Sequence, residues 1–290
     1  MVTLLGTVVY EQNYFYVEKY FNALNNLKKE FNLLLIFEGQ KSYNQASRFL
    51  DNIYFKKHIS IIKNKLSHAK LRETLIDEAE KINNWEKLIF IDYDDEISHN
   101  AIELHLEALE GFDISVGNLR IIDSDSKYLG HLFFDNLNLK KNTVMSKDII
   151  FKNIFGMTNT AIKRKVLNKR PILNNTDIRA YDWWLFTSFL DQGLKAKVIY
   201  EPVGSYRVKE KNTLGWGSEY NMKRFKKEIF IINTHFREFK PNKYRKIAME
   251  LVLEAKGLII KLDNFDRLQL TNNNVWYYDF FRNVLRLRNG

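Results

Sequence analysis

At 290 residues, 45% hydrophobic and 28% charged, the chain can bury a sizeable core, which excludes a disordered or fibrous protein. It has no cysteine, which excludes disulfides, zinc–thiolate and iron–sulfur sites, and its 3 prolines and 12 glycines leave little room for a flexible linker. The formal net charge is +10, and residues 216–290 hold 15 Lys and Arg against 8 Asp and Glu, +7 of that total; this asymmetry points to an acidic partner or surface reached through the C-terminus, or to a solvated basic face.

The opening stretch Met1–Tyr10 lacks a basic leader and is too short for a signal sequence, so Thr3–Tyr10 reads as a first strand. No apolar run is long enough to span a bilayer. Strand patterns at Asn32–Phe37, His58–Ile62 and Leu88–Ile91 alternate with helical patterns at Phe15–Leu27, Ser42–Leu50 and Ala69–Ile82. Strands separated by helix-length segments predict βαβ units and a parallel sheet. A helix near Asn100–Leu109 follows, then a strand at Asp113–Ile121, a turn at Asp123–Ser126 and a hairpin arm at Tyr128–Phe134. Residues 135–180, rich in Asn and Lys, read as irregular. Tyr181–Leu190 is an apolar, aromatic helix and Lys197–Tyr206 a further strand. From Ser218 onward the pattern is helical, with breaks near Pro241 and Asn272–Asn274.

The densest chemical signal follows the run Leu88–Ile91. Asp92, Asp94, Asp95 and Glu96 are four acidic residues in five positions. Carboxylates crowded at a strand's end repel one another and raise one another's pKa, so packing gives no reason for them. A divalent cation does, because Mg²⁺ and Mn²⁺ take carboxylate oxygens and keep positions for water or phosphate. Open α/β sheets bind ligands beyond the carboxyl ends of their strands, where this cluster sits. The alternative is an acidic capping loop before the helix at Asn100.

The order of landmarks over residues 3–214 resembles the family 2 glycosyltransferases of the GT-A fold. Val9-Tyr10-Glu11-Gln12-Asn13-Tyr14 resembles the family's opening "PVYNxxxY" segment, with Val9 where the family has Pro. Phe37-Glu38-Gly39-Gln40-Lys41-Ser42 resembles its "DDGS" turn, and the resemblance implies that Glu38 meets the nucleotide base. Asn64–Arg72 resembles the "NxGxsxARN" stretch that opens the third helix, without the usual Gly. There Ser67 is a candidate N-cap, and Lys70 and Arg72 suit a diphosphate. Asp92-Tyr93-Asp94-Asp95 resembles the "DxDD" motif. In the family's terms Asp92 would meet ribose or metal, Asp94 would bind Mg²⁺ or Mn²⁺ bridging the two phosphates, and Asp95 would bind metal, water or a helix start.

Further along, Asn118 in Val116–Arg120, together with Gly156 and Thr158 in Asn153–Arg164, matches positions that line the sugar and acceptor side. Ala180-Tyr181-Asp182-Trp183-Trp184-Leu185 resembles "EDWxL", with Tyr181 replacing the usual Glu. A carboxylate at a helix start against two tryptophans is partly desolvated, which raises its pKa and suits a general base, so Asp182 is the candidate base. Trp183 would then offer a sugar-stacking face. The bland alternative is an N-capping Asp with core aromatics. Ser205–Asn212 resembles "YRxHxxN", a mobile segment that closes over the diphosphate. It supplies Arg207, and Lys209 where the family has His, so a metal-ligating imidazole is lost.

The resemblance therefore implies an α/β protein with a GT-A-like, mostly parallel sheet flanked by helices and a helical C-terminal extension. Residues 1–215 would form the GT-A domain, with a nucleotide-binding half (1–112) and a sugar/acceptor half (113–215); residues 216–290 would be the basic extension. It implies an inverting, metal-dependent glycosyltransferase that uses Mn²⁺ or Mg²⁺. The donor-binding set is Val9, Tyr10, Glu11, Glu38, Arg72, Asp92, Arg207 and Lys209. The donor would be a nucleotide-sugar, UDP-sugar favoured, and the acceptor a glycan or lipid-linked glycan of bacterial surface assembly. The expected location is cytoplasmic or peripheral on the inner face of the membrane. The aromatic, basic segment Val275–Arg288 would either contact an anionic membrane or pack on the domain. Two other classes share features with this chain. A haloacid-dehalogenase-like phosphatase also carries Asp-x-Asp after a strand, but follows it with Gly and Thr or Ser. A basic nucleic-acid-binding module is argued against by the acidic cluster.

Overall fold

The computed structural model describes residues 2–12, 14–27, 29–135, 137, 139, 141–208, 221–261 and 277–289. The first half alternates as the hydrophobic pattern requires: β1 (Val2–Val9), α1 (Val17–Asn25), β2 (Phe31–Glu38), α2 (Gly39–Leu50), β3 (Lys57–Ile62), α3 (His68–Lys81) and β4 (Trp85–Phe90). Then come β5 (Glu96–Ile97), α4 (Ala101–Ala108), β6 (Ile114–Ile122), β7 (Tyr128–Leu132), β8 (Thr143–Val144), β9 (Thr160–Lys163), α5 (Tyr181–Asp191) and β10 (Ala196–Arg207). Helices α6 (Met222–Arg237), α7 (Lys243–Lys261) and α8 (Tyr278–Asn289) complete the described residues.

The strands form one sheet in the order β3-β2-β1-β4-β9-β6-β10-β5, with β7 on β6 and β8 on β10. Strands β1 to β4 run parallel, as do β6 and β10. Period-two alternation sends neighbouring residues of one strand to opposite faces. Leu4 and Val8 of β1 and Leu34 and Ile36 of β2 pack with Leu71, Leu75 and Ile76 of α3 on one face. Leu5 and Val9, with Leu33, Leu35 and Phe37, pack on the other against Tyr20, Phe21 and Leu24 of α1 and Leu50 of α2.

Residues 135–180, expected to be irregular, contain a central strand. β9 lies antiparallel between β4 and β6, with Ile162 opposite both Leu88 and Ile114. It is four residues long, too short to show a periodic signal, and both of its neighbours are far away in sequence.

The C-terminal helices share the core of the α/β unit. Phe225 and Ile232 of α6, Val252 of α7, and Phe280 and Val284 of α8 belong to the same buried cluster as Trp183 and Phe186 of α5. The aromatic face of α8 is thereby covered, and Arg282 and Arg286 remain exposed. Val275 and Trp276 lie outside the described residues. Among the described residues no helix is long and apolar enough to cross a membrane.

Candidate active site

The acidic loop is built by β4 and β5. β4 ends at Phe90, and β5 pairs antiparallel with β10 through Glu96–Ser205 and Ile97–Gly204. A Cβ on Gly204 would stand 2.4 Å from the Glu96 carbonyl oxygen, so the absence of a side chain lets the loop's far end seat against β10. Tyr93 is buried, and its hydroxyl donates to the carbonyl of Gln12, tying the loop to the end of β1.

Asp95 is 7% exposed. It accepts from the Thr158 hydroxyl at 2.6 Å and from the Arg207 amide at 2.7 Å. Burial first, then Asp94 and Asp92, pushes its pKa well up, against those two hydrogen bonds. Asp92 pairs with Arg72 of α3, Nη2 to Oδ2 at 3.1 Å. The other arm of Arg72 reaches Asp182 in the first turn of α5, at 3.8 Å. Burial opposes charge on Arg72, but Asp92, Tyr10 and Asp182 outweigh it and hold the guanidinium protonated. Asp182 is raised by burial and held back by Arg72 and by the Trp183 amide, which donates to it at 2.8 Å.

These groups meet in one cavity of about 370 Å³. Of the residues singled out from the sequence, Tyr10, Arg72, Asp92, Asp94, Asp95, Gly156, Thr158, Asp182 and Arg207 line it. Gln12, His68, Asn153, Met157, Arg179, Tyr206 and Tyr277 join them without having been assigned to it. The ring of His68 lies 4.5 Å from that of Tyr10. Tyr277 comes from the segment just before α8, outside the span of the family resemblance. Its ring stacks on Trp183 at 4.6 Å, and no local motif marks it.

Several expected residues do not line the cavity, and Arg207, which does, is bonded within the fold. Val9 is a core residue of β1. Glu38 accepts from the Glu11 amide at 3.2 Å, linking the end of β2 to the residues after β1. Asn118 is buried and braces strands: it donates to the Tyr200 carbonyl and accepts from the Leu119 and Phe134 amides. Trp183, expected to offer a face to a sugar, has no exposed surface. Its ring is covered by His235 at 3.8 Å and by Tyr277, and its Nε1 donates to the Ile149 carbonyl. Arg207, expected to support a leaving diphosphate, is 2% exposed. Its guanidinium donates to the Asp94, Asp123 and Ser124 carbonyls, the Ser126 hydroxyl and Glu96, and it lies over Tyr16. It fastens the acidic loop to the turn before β7. Lys209 lies outside the described residues.

Among the described residues no three His, Cys, Asp or Glu side chains are grouped as a ready metal cage. A hard cation that bridges phosphates does not need one. Mg²⁺-type ions are held by one or two carboxylates, with substrate phosphates and water completing the shell. Three hard carboxylates border the cavity, and Asp94 and Asp92 add to the burial that raises Asp95. The donor set therefore fits such a cation, with Asp92, Asp94 and Asp95 the carboxylates that border the cavity.

No protein-family model and no curated protein sequence matches the chain. Among solved structures, TarS 1-349 of S. aureus in complex with UDP-GlcNAc superimposes with a TM-score of 0.57 at 13% identity, covering 93% of this chain and 77% of that one. The same TarS fragment with UDP gives 0.52 at 15% identity, covering 93% and 76%. GalNAc-T7 with UDP, GalNAc and Mn²⁺ gives 0.59 at 11% identity, covering 97% of this chain and 56% of that one. These neighbours have the GT-A fold, and so has this chain, with a mostly parallel sheet and packed C-terminal helices.

Proposed function

We propose that the protein is a glycosyltransferase that moves a sugar from a UDP-sugar to an acceptor hydroxyl with inversion at the anomeric carbon. The observation that supports this reading is the meeting of the acidic loop, Arg72 and Asp182 in one cavity of a GT-A fold. The UDP and UDP-GlcNAc bound in structural neighbours support the choice of donor.

Asp182 is the base in this reading. Burial raises its affinity for a proton, so it is better matched to a hydroxyl's proton than an exposed carboxylate would be. It takes that proton as the acceptor oxygen attacks the anomeric carbon. The bond from that carbon to the diphosphate oxygen breaks, and UDP departs with the electron pair. Arg72 keeps Asp182 from being neutralised outright and fixes Asp92 beside it. Tyr10, with His68 against its ring, forms one wall of the cavity. Asp94, with Asp92 or Asp95, would hold Mn²⁺ or Mg²⁺, which supplies the positive charge that offsets charge on the departing diphosphate.

The test is a thermal-shift comparison. UDP should raise the unfolding midpoint more in Mn²⁺ than in EDTA, and UDP-sugar should be turned over by an acceptor glycan. Equal midpoints with and without UDP would remove the donor from the reading.

A further inference from the structure

Next to the catalytic cavity lies a second one of about 620 Å³, between the start of α3, the residues just before α5 and the outer face of α6. His68, Arg179 and Tyr277 border both cavities, so the two share a wall. Arg179 also lines the first cavity together with Asp182, the candidate base.

The lining of this cavity has a definite chemistry. It holds two cations on separate elements, Arg179 before α5 and Lys227 on α6, and no carboxylate among the described residues. Partial burial, then Lys223 and Arg179, pushes the Lys227 ammonium below the ordinary lysine range. Two positive charges on separate elements thus face one cavity. Phe230 of α6 adds an aromatic face that is 45% exposed. A partly enclosed basic surface attracts anions, and an aromatic face beside it suits the apolar side of a sugar ring. The donor's diphosphate belongs to the first cavity, where the carboxylates for a bridging cation are found. The second cavity has none.

Resting on the glycosyl-transfer reading, we infer that the second cavity is the acceptor subsite and that the acceptor is an anionic saccharide. Its phosphate or carboxylate is held by Lys227 and Arg179, its ring lies toward Phe230, and its nucleophilic hydroxyl reaches Asp182 past Tyr277.

The experiment uses the full chain saturated with UDP and Mn²⁺, titrated by NMR or calorimetry with glucose 6-phosphate, glucuronate and glucose. Both charged sugars should bind at least about tenfold more tightly than glucose, the size of one charge-assisted contact, and should weaken as salt rises. Relative binding of the two charged sugars separates a phosphate from a carboxylate preference. Lys227→Gln should weaken both, Lys227→Glu should weaken them further, by about tenfold or more, and UDP affinity should not change. Glucose binding as well as the charged sugars, or Lys227→Glu binding them like the parent, would overturn the assignment. So would displacement of UDP by glucose 6-phosphate, which would place the anion in the first cavity. If UDP fails to bind at all while Lys227→Glu still abolishes charged-sugar binding, the donor reading falls and the anionic-saccharide subsite stands.

Discussion

Nη1 of Arg72 stands 3.8 Å from Oδ2 of Asp182, while its Nη2 contacts Asp92 at 3.1 Å. One guanidinium thus lies between the acidic loop after β4 and the first turn of α5. It tunes the candidate base: burial drives Asp182 up and Arg72 drives it down. Without that cation, the Asp182 carboxyl would keep its proton to higher pH. Arg72→Gln should therefore move the acid limb of the kcat/KM profile toward higher pH, and Arg72→Lys should move it less. A series from about pH 5 to pH 9 measures this. An acid limb that stays in place in Arg72→Gln would dissociate Asp182 from that limb.

Asp182→Asn keeps the shape of the side chain and its hydrogen bond from the Trp183 amide, but cannot take a proton. Transfer should fall on the order of a hundredfold to ten-thousandfold. UDP and Mn²⁺ binding should match the parent by calorimetry. The parent's product should show inverted anomeric configuration by NMR. Retained configuration, or near-normal transfer by the variant, counts against the assigned base.

Asp94→Asn should remove the extra stabilisation that Mn²⁺ adds to UDP and leave the apo protein's midpoint within a few degrees of the parent. At saturating ligand the parent's gain should approach about 2.7 kcal/mol when free UDP is a hundred times its Kd. If the variant keeps the full Mn²⁺ increment, Asp94 is not a ligand.

Arg207 fastens three parts of the fold. Arg207→Leu removes a donor from Glu96, the Ser126 hydroxyl and three loop carbonyls, and should cost about 3–5 kcal/mol of stability. Urea unfolding of the apo protein measures it. A stability like the parent's, with only UDP affinity reduced, would instead make Arg207 a phosphate contact.

His105 of α4 is buried, and burial pushes its pKa down to about 3, with Ser115 bonded to Nδ1 at 2.8 Å. The unfolded chain protonates this imidazole near pH 6.5 and the folded one does not until about pH 3. The unfolded state therefore binds more protons in that window, and stability falls as pH falls through it, by about 1.4 kcal/mol per unit. His235, lowered by burial and then by Arg245, acts in the same sense. Urea unfolding at a series of pH values should show a shallower acid slope for His105→Leu than for the parent. Equal slopes would mean that His105 charges inside the folded protein.

The local pattern was enough to read the first sheet half. Runs such as Leu33–Phe37 and Leu88–Phe90 are apolar on both faces and punctuated by amphipathic helices, and that alternation is itself the physics of a buried parallel sheet. The acidic loop and Asp182 were legible for a related reason: carboxylates at the end of a buried strand, or against tryptophans, conflict with packing. What remained hidden depends on distant partners. β9 has four residues, and only β4 and β6 on either side make it a strand. Whether Trp183 faces a ligand or the core is decided by His235 and Tyr277, which arrive from α6 and the residues before α8. Arg207 reads as a free cation until the turn before β7 closes on it. Tyr277 and Arg179 join the cavity through packing alone. Sequence determined the longer elements and the places where polar groups defy burial; tertiary structure decided which of those groups meet, because contacts between elements depend on shape and charge that no local period encodes.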